Sequence, residues 1–256
     1  MALILSNLTN EKAIRHLSYE FNSNYVNAIM GKRVDELIAL LIGRDKTYSG
    51  NITVNGLLLE DTDVSYIKVD DYLYTSRVKD DFRLMNEYLK IERSIISGRV
   101  DKYLDLFGFS FAFYSRINNT LSRTERFIIN IIKGLVTDAR VIIFDEVFSE
   151  LDYKYSKILK SVMNNLRISG KVIIVKDDIN VLQSIANEII VIGEDGMIIS
   201  GHINDICIDV DLLTGINIKV PYLSNITYKA RVEKGIKLGY HKDVRDIIKD
   251  IYKHVQ

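Results

Sequence analysis

Val141-Ile142-Ile143-Phe144-Asp145-Glu146 is the stretch on which the fold turns. Four apolar residues in a row make a strand buried on both faces. Two carboxylates follow at once, at the C-terminal edge of that strand, where ligands collect in open α/β sheets. Asp145 is placed there to hold Mg²⁺, and Glu146 to orient or deprotonate a water. A strand that merely ends in a solvated acidic turn would carry the same letters, so the surrounding sequence has to decide.

Downstream, Val172-Ile173-Ile174-Val175 and Ile189-Ile190-Val191-Ile192 repeat the short apolar run, with helical stretches between them. Fully apolar strands alternating with helices predict a parallel sheet built from βαβ units. Asp195-Gly196 followed by Met197-Ile198-Ile199 suggests a hairpin closing the sheet, and from Asp211 the composition turns helical and charged. Upstream, Ile52 to Leu59 reads as strand, turn, strand, with Asn55-Gly56 suited to a type I′ turn. Tyr25 to Met30 reads as a strand running into Gly31. Val34, Leu37, Ile38 and Leu41 then mark one apolar helix face, and Gly43 stands where a C-cap belongs. Val78 to Leu121 reads as several helices.

The 256 residues are 47% hydrophobic, enough for one large domain with or without an appendage. Lys and Arg number 34, as do Asp and Glu, so no net field draws in nucleic acid or an acidic membrane. The lone Cys207 excludes an intrachain disulfide, fits a reducing compartment and reads as a small buried hydrophobe. No apolar run approaches the roughly 18 residues of a membrane helix, and Met1 to Asn10 shows no signal-peptide pattern. A soluble protein is expected, one that reaches a membrane only through partners.

More motifs surround the opening stretch. Ser149-Glu150-Leu151-Asp152 follows it directly. Leu121-Ser122-Arg123-Thr124-Glu125 precedes it and leads into a helix with Phe127, Ile128, Ile131, Ile132 and Leu135 on one face. In this order and spacing the chain resembles the C-terminal half of an ABC ATPase: signature motif, Walker B strand, D-loop, then the strand before the switch loop. Tyr48 to Gly56 and Val64 to Leu84 resemble that family's N-terminal half, and the likeness runs from residue 1 to about 205. The resemblance implies a mainly parallel α/β P-loop-type fold over 1–208 with an antiparallel β-subdomain and a helical subdomain near 72–120. A helical extension fills 209–256. Asp211 to Pro221 and Val244 to Ile248 resemble the C-terminal extension of energy-coupling factor transporter ATPases; an ordinary amphipathic tail fits equally.

The resemblance assigns site residues by position. Asp145 and Glu146 are the catalytic pair, Asp145 the Mg²⁺ ligand. Ser122, Arg123 and Glu125 are signature residues, Ser149 and Asp152 D-loop residues. Ser122 and Glu125 also spell a capping box, which needs no ligand, and both readings can hold together. Arg123 and Thr124 replace the signature glycines that let backbone approach phosphate, although Arg123 is itself a phosphate-binding type of side chain. A P-loop needs two glycines, a lysine and a following hydroxyl. Here Ile29 to Leu37 offers only Gly31 and Lys32, with Arg33 and then Asp35 and Glu36, which repel phosphate. Lys32 and Arg33 read as solvated loop charges. Val69 stands at the Q-loop glutamine's position and an anionic Asp177 at the switch histidine's.

Three lost phosphate contacts at about 1.5–3 kcal/mol each amount to roughly 6 kcal/mol, or on the order of 10⁴ in affinity. The expectation is a chain whose own P-loop holds little ATP, paired head to tail with an intact ATPase subunit that carries ATP and Mg²⁺ on its own P-loop. The pair would sit on integral membrane transporter subunits at the cytoplasmic face, energising transport, with vitamin or metal-ion uptake one possibility. A non-catalytic scaffold subunit and a soluble ABC ATPase outside transport are the alternatives. The sheet is expected to bring Gly31 and Asp145 side by side.

Overall fold

A computed structural model describes residues 1–10, 14–59, 64–70, 72–89, 92–193, 196–239, 241 and 243–255. Two sheets form. The first is antiparallel, in the order β2-β1-β4-β5, from β1 (Ala2–Asn10), β2 (Leu17–Asn22), β4 (Tyr48–Val54) and β5 (Leu57–Leu58). Asn55 and Gly56 join β4 to β5, both with positive φ (53° and 80°), as a type I′ turn requires.

The second sheet has the order β10-β9-β3-β8-β7-β6, from β3 (Val26–Gly31), β6 (Val64–Lys68), β7 (Val141–Asp145), β8 (Val172–Lys176), β9 (Glu188–Ile192) and β10 (Ile198–His202). All its pairings are parallel except β9–β10. The predicted hairpin is therefore present, although Asp195 of its turn lies outside the described residues.

The period of two in β7 divides the core. Val141 and Ile143 pack with Leu3, Leu5, Phe21 and Leu37, between the parallel sheet, the antiparallel sheet and α1 (Val34–Leu41). Ile142 and Phe144 face the other way, onto Phe127, Ile131 and Leu159 of α5 (Arg123–Val136) and α6 (Tyr153–Ile168). Every residue of β7 is buried. Each such Val, Ile or Phe contributes about 1.5–3 kcal/mol by leaving water, which fixes the register of the strand carrying the carboxylates.

Helix α1 ends as its sequence indicates. Gly43 takes φ 69°, and the N–H groups of Gly43 and Arg44 donate to Leu40 and Ala39 (3.2 and 2.9 Å). Between β6 and α5 lie α2 (Val78–Leu89), α3 (Arg93–Leu106) and α4 (Phe111–Tyr114). After β8 come α7 (Ile179–Ile185) and, beyond β10, α8 (Ile203–Ile208), α9 (Val210–Gly215), α10 (Tyr222–Lys234) and α11 (Val244–Val255). Cys207 is fully buried in α8. No helix among the described residues is long and apolar enough to cross a membrane.

One expectation needs correcting. Gly31 and Asp145 share the C-terminal edge of the sheet but not neighbouring strands, because β8 pairs with β7 on one side and β3 on the other. The strand after α6 inserts between them, and its last residue, Lys176, stands directly opposite Asp145.

Candidate functional site

The C-terminal edge of the parallel sheet opens into two adjoining clefts. One, of about 420 Å³, is lined by Gly31, Glu146, Ser149, Lys176, Asp177 and Asp178 among others. The second, about 290 Å³, is lined by Asp35, Arg44, Tyr66, Asp145, Glu146 and Lys176 among others. Lys176 belongs to both.

The link from β3 to α1 is two residues, Lys32 and Arg33. Gly31 has φ 118°, open only to glycine, and a Cβ on it would lie 2.1 Å from the Ile192 carbonyl oxygen. Its lack of a side chain is thus required by β9, irrespective of any ligand. Lys32 is exposed. Arg33 pairs with Glu36 (3.2 Å). Asp35 and Glu36 put carboxylates in the first turn of α1, where the helix dipole favours an anion.

Asp145 is 1% exposed. Its Oδ2 accepts from the Tyr66 hydroxyl at 2.5 Å. Its Oδ1 lies 3.0 Å from Lys176 Nζ. The same ammonium lies 2.8 Å from Asp35 and 3.4 Å from Glu146. Burial works against the Lys176 charge, but the Asp35 and Asp145 carboxylates outweigh it and hold its pKa above the ordinary lysine value. Burial, and then the hydrogen bond to Asp145, raise the Tyr66 phenol well above its ordinary value, so it stays a donor. Arg44 lies over the Tyr66 ring, 5.5 Å from its centroid.

Glu146 has a left-handed backbone, φ 57° and ψ 27°, rare for a residue with a Cβ. Its N–H donates to the Lys176 carbonyl (2.7 Å), and its own carbonyl accepts from Ser149 Oγ (2.8 Å). Its side chain is more than half exposed, at the cleft. Asp177 spends both oxygens on backbone: Oδ1 accepts from Asp178 N (2.8 Å) and Oδ2 from Phe148 N (3.1 Å). Burial, with Glu146 and Asp178 nearby, raises its pKa. Val69 follows β6 and packs half-buried against the main core.

Ser122 and Glu125 form the full capping box: Ser122 Oγ accepts from Glu125 N (3.2 Å), and Ser122 N donates to Glu125 Oε2 (2.7 Å). Glu125 also pairs with Arg116 (2.8 Å). Arg123 reaches Glu150 (3.1 Å), tying the start of α5 to the segment after β7, and Asp152 caps α6 through Tyr155 N (2.9 Å). The structure therefore gathers Gly31, Asp145, Glu146, Ser149 and Asp177 around the clefts. Ser122, Arg123, Glu125 and Asp152 stand near or on the surface, Arg123 paired with Glu150 and the others in ordinary capping and pairing roles.

Lys176 and Tyr66 carry no signature residue type and were not among the expected site residues. The available signal was a lysine ending an all-apolar strand that neighbours VIIFD in the sheet.

This geometry has known counterparts. A structure of the ATP-binding subunit of an ABC transporter superposes with a TM-score of 0.71 at 16% identity, covering 83% of this chain and 93% of the other. The fold is that of an ABC ATPase. Among other solved structures, cbiO1 from Clostridium perfringens, part of the ABC transporter complex cbiONQ, gives 0.69 at 20% identity, covering 88% and 98%. Among sequence relatives, an uncharacterised ABC transporter ATP-binding protein of Methanocaldococcus jannaschii is 22% identical over 203 residues, 77% of this chain and 75% of its own length. The energy-coupling factor transporter ATP-binding protein EcfA1 of Mycoplasmoides gallisepticum is 25% identical over 227 residues, 84% and 81%. No family model matches the chain. The homologues are thus ATP-binding proteins of ABC transporters, energy-coupling factor systems included.

Proposed function

We propose that this chain is an ATPase-like subunit of a membrane ABC transporter that works beside an intact ATPase paralogue, its own P-loop side holding little or no ATP. The observation that carries the reading is the two-residue link between β3 and α1. A P-loop encloses phosphate with several successive backbone N–H groups, a lysine and a metal-binding hydroxyl. Lys32 and Arg33 leave no room for that enclosure, and the helix start offers Asp35 and Glu36 instead of Ser or Thr. Asp145, which would hold Mg²⁺, already has one oxygen on Tyr66 and the other against Lys176. As they stand, these residues do not fit Mg²⁺-ATP.

The opposite face supports the pairing. Ser122 opens α5 at the surface, and the next residue, Arg123, pairs with Glu150 of the segment ending at Asp152. In a head-to-tail dimer this edge meets the partner's P-loop, and the free N–H groups at the helix start suit its nucleotide phosphate. Hydrolysis then falls mainly to the partner's glutamate. The kinship with EcfA1 and cbiO1 favours uptake driven by two related ATPases on shared membrane subunits, at the cytoplasmic face.

Titration of the isolated chain with Mg²⁺-ATP is expected to give a Kd no tighter than about 1 mM, following the roughly 10⁴ loss above; micromolar affinity overturns the reading. With the co-purified pair, Glu146→Gln here is expected to leave most ATPase activity in place. Abolished turnover would make this chain a hydrolytic subunit in its own right. A pair as inactive as this chain alone would favour a purely scaffolding role.

A further inference from the structure

Lys176 Nζ is surrounded by three carboxylates: Asp145 of β7 at 3.0 Å, Asp35 of α1 at 2.8 Å and Glu146 just beyond β7 at 3.4 Å. The inner pair is the important one. Asp145's side chain is 2% exposed and that of Lys176 20%. Asp35 and Glu146, at 77% and 58%, are screened by solvent and add less. The sequence of groups runs from an anion in the first turn of a helix, through a cation, to a carboxylate at a strand end. In a nucleotide-loaded site of this fold class, phosphate, magnesium and the strand aspartate stand in that same sequence.

We propose that Lys176 is a built-in cation: its ammonium takes the place of a divalent metal between Asp145 and the N-terminal turn of α1, with Asp35 standing where phosphate would. The edge of the sheet thereby holds its shape with neither metal nor nucleotide. This deepens the reading of an empty P-loop and rests on it.

The inference separates from an ordinary ion pair by its response to metal. Replacing Lys176 with methionine keeps the stem and removes the charge, leaving the buried Asp145 without its ion-pair partner. Three oxygens then lie within 3.4 Å of the vacated point. Closing to Mn²⁺ coordination distance asks for shifts of roughly 1 Å by two exposed side chains.

Thermal unfolding of the full chain is measured in EDTA and in millimolar MnCl₂ at matched ionic strength. Wild type is expected to be indifferent to Mn²⁺. Lys176→Met is expected to lose roughly 10 °C in EDTA and to regain at least half of it in Mn²⁺. Asp145→Asn/Lys176→Met, with no buried charge left to compensate and one carboxylate fewer at the site, is expected to recover in EDTA and ignore Mn²⁺. Mn²⁺ electron paramagnetic resonance should report bound ion in Lys176→Met alone. A wild type that binds or is stabilised by Mn²⁺ overturns the inference, as does a Lys176→Met variant indifferent to it. If that variant does not fold, Lys176→Gln is judged by the same criteria. ATP binding by wild type without any divalent ion would refute the empty P-loop and leave the cation assignment intact.

Discussion

Asp81 shows how much a single buried carboxylate organises outside the clefts. It is 1% exposed. It accepts from Tyr74 N (2.9 Å), Thr75 Oγ1 (2.7 Å) and Asn118 Nδ2 (2.7 Å), and Lys133 Nζ lies at 3.4 Å. Burial pushes its pKa up, but these donors together pull it below the ordinary value of 3.8. The folded state therefore takes up a proton less readily than the unfolded chain. The stability so gained is fully present above pH ~4 and is lost as pH falls through the depressed folded value. Asp81→Asn places an amide among donors and is expected to cost about 2–4 kcal/mol at pH 7. Chemical denaturation should show the gap to wild type narrowing below pH ~4; a gap that holds constant into acid would mean the carboxylate's charge is not what the donors stabilise. Nothing in the sequence announces this hub, because its partners come from residues 74, 75, 118 and 133 and meet only once the helices pack. Asp145 and Glu146 were legible for the opposite reason: their whole context is local, an apolar strand and its end.

At the scale of elements, the strands and the α1 helix were legible because burial imposes period and composition together. Val141 to Phe144, a short all-apolar run bounded by polar residues, suits a strand with two dry faces, and Asn55-Gly56 favours the type I′ turn that forms. The neighbour relations were not legible. Which strand lies beside β7 depends on how α6 returns the chain, and that return placed β8, and with it Lys176, between the two motifs expected to touch. Close helix–sheet approach is likewise invisible in one dimension. Gly134 sits inside α5, where alanine would be the better helix former by about 1 kcal/mol. Yet a Cβ there would meet Ile67 Cγ1 at 2.4 Å, and the Gly134 carbonyl accepts from Ser65 Oγ at 2.8 Å. Propensity and packing predict opposite signs for Gly134→Ala. Packing should prevail, with a net loss of about 1–2 kcal/mol. Equilibrium urea unfolding decides it: a variant as stable as wild type or more so would show that α5 can withdraw from β6 at no cost.

Across the whole molecule, residues 176 to 178 hold more of the chain together than their length suggests. Lys176 engages α1 and β7, Asp177 takes the Phe148 N–H, and Asp178 caps α7 while accepting from Lys219 Nζ at 2.6 Å. Tyr222 N adds a bond to Asn180 Oδ1 (3.0 Å), so the C-terminal segment docks on the strand-end machinery. The Lys219–Asp178 pair is exposed and screened by solvent, so it adds little. Apolar burial is the stronger attachment. Leu213 is fully buried and Val210 8% exposed, and Leu212, Ile216, Ile218 and Val220 pack half-buried on the main core. At about 1.5–3 kcal/mol for each fully buried side chain and less for the others, this segment contributes roughly 5 kcal/mol or more, a large part of a typical domain's stability. Beyond it, α10 and α11 bury little: among their described side chains, only Ser224 and Ile247 fall to a few per cent exposure. A chain ending after Pro221 is therefore expected to unfold cooperatively within a few degrees of the full protein, while one ending after Ile208 should be insoluble or lack a cooperative transition. Calorimetry of the two truncations measures this directly. A stable, cooperative chain ending at Ile208 would mean that the core closes without residues 209–221, and that the contacts to Asp178 and Asn180 merely tether an appendage.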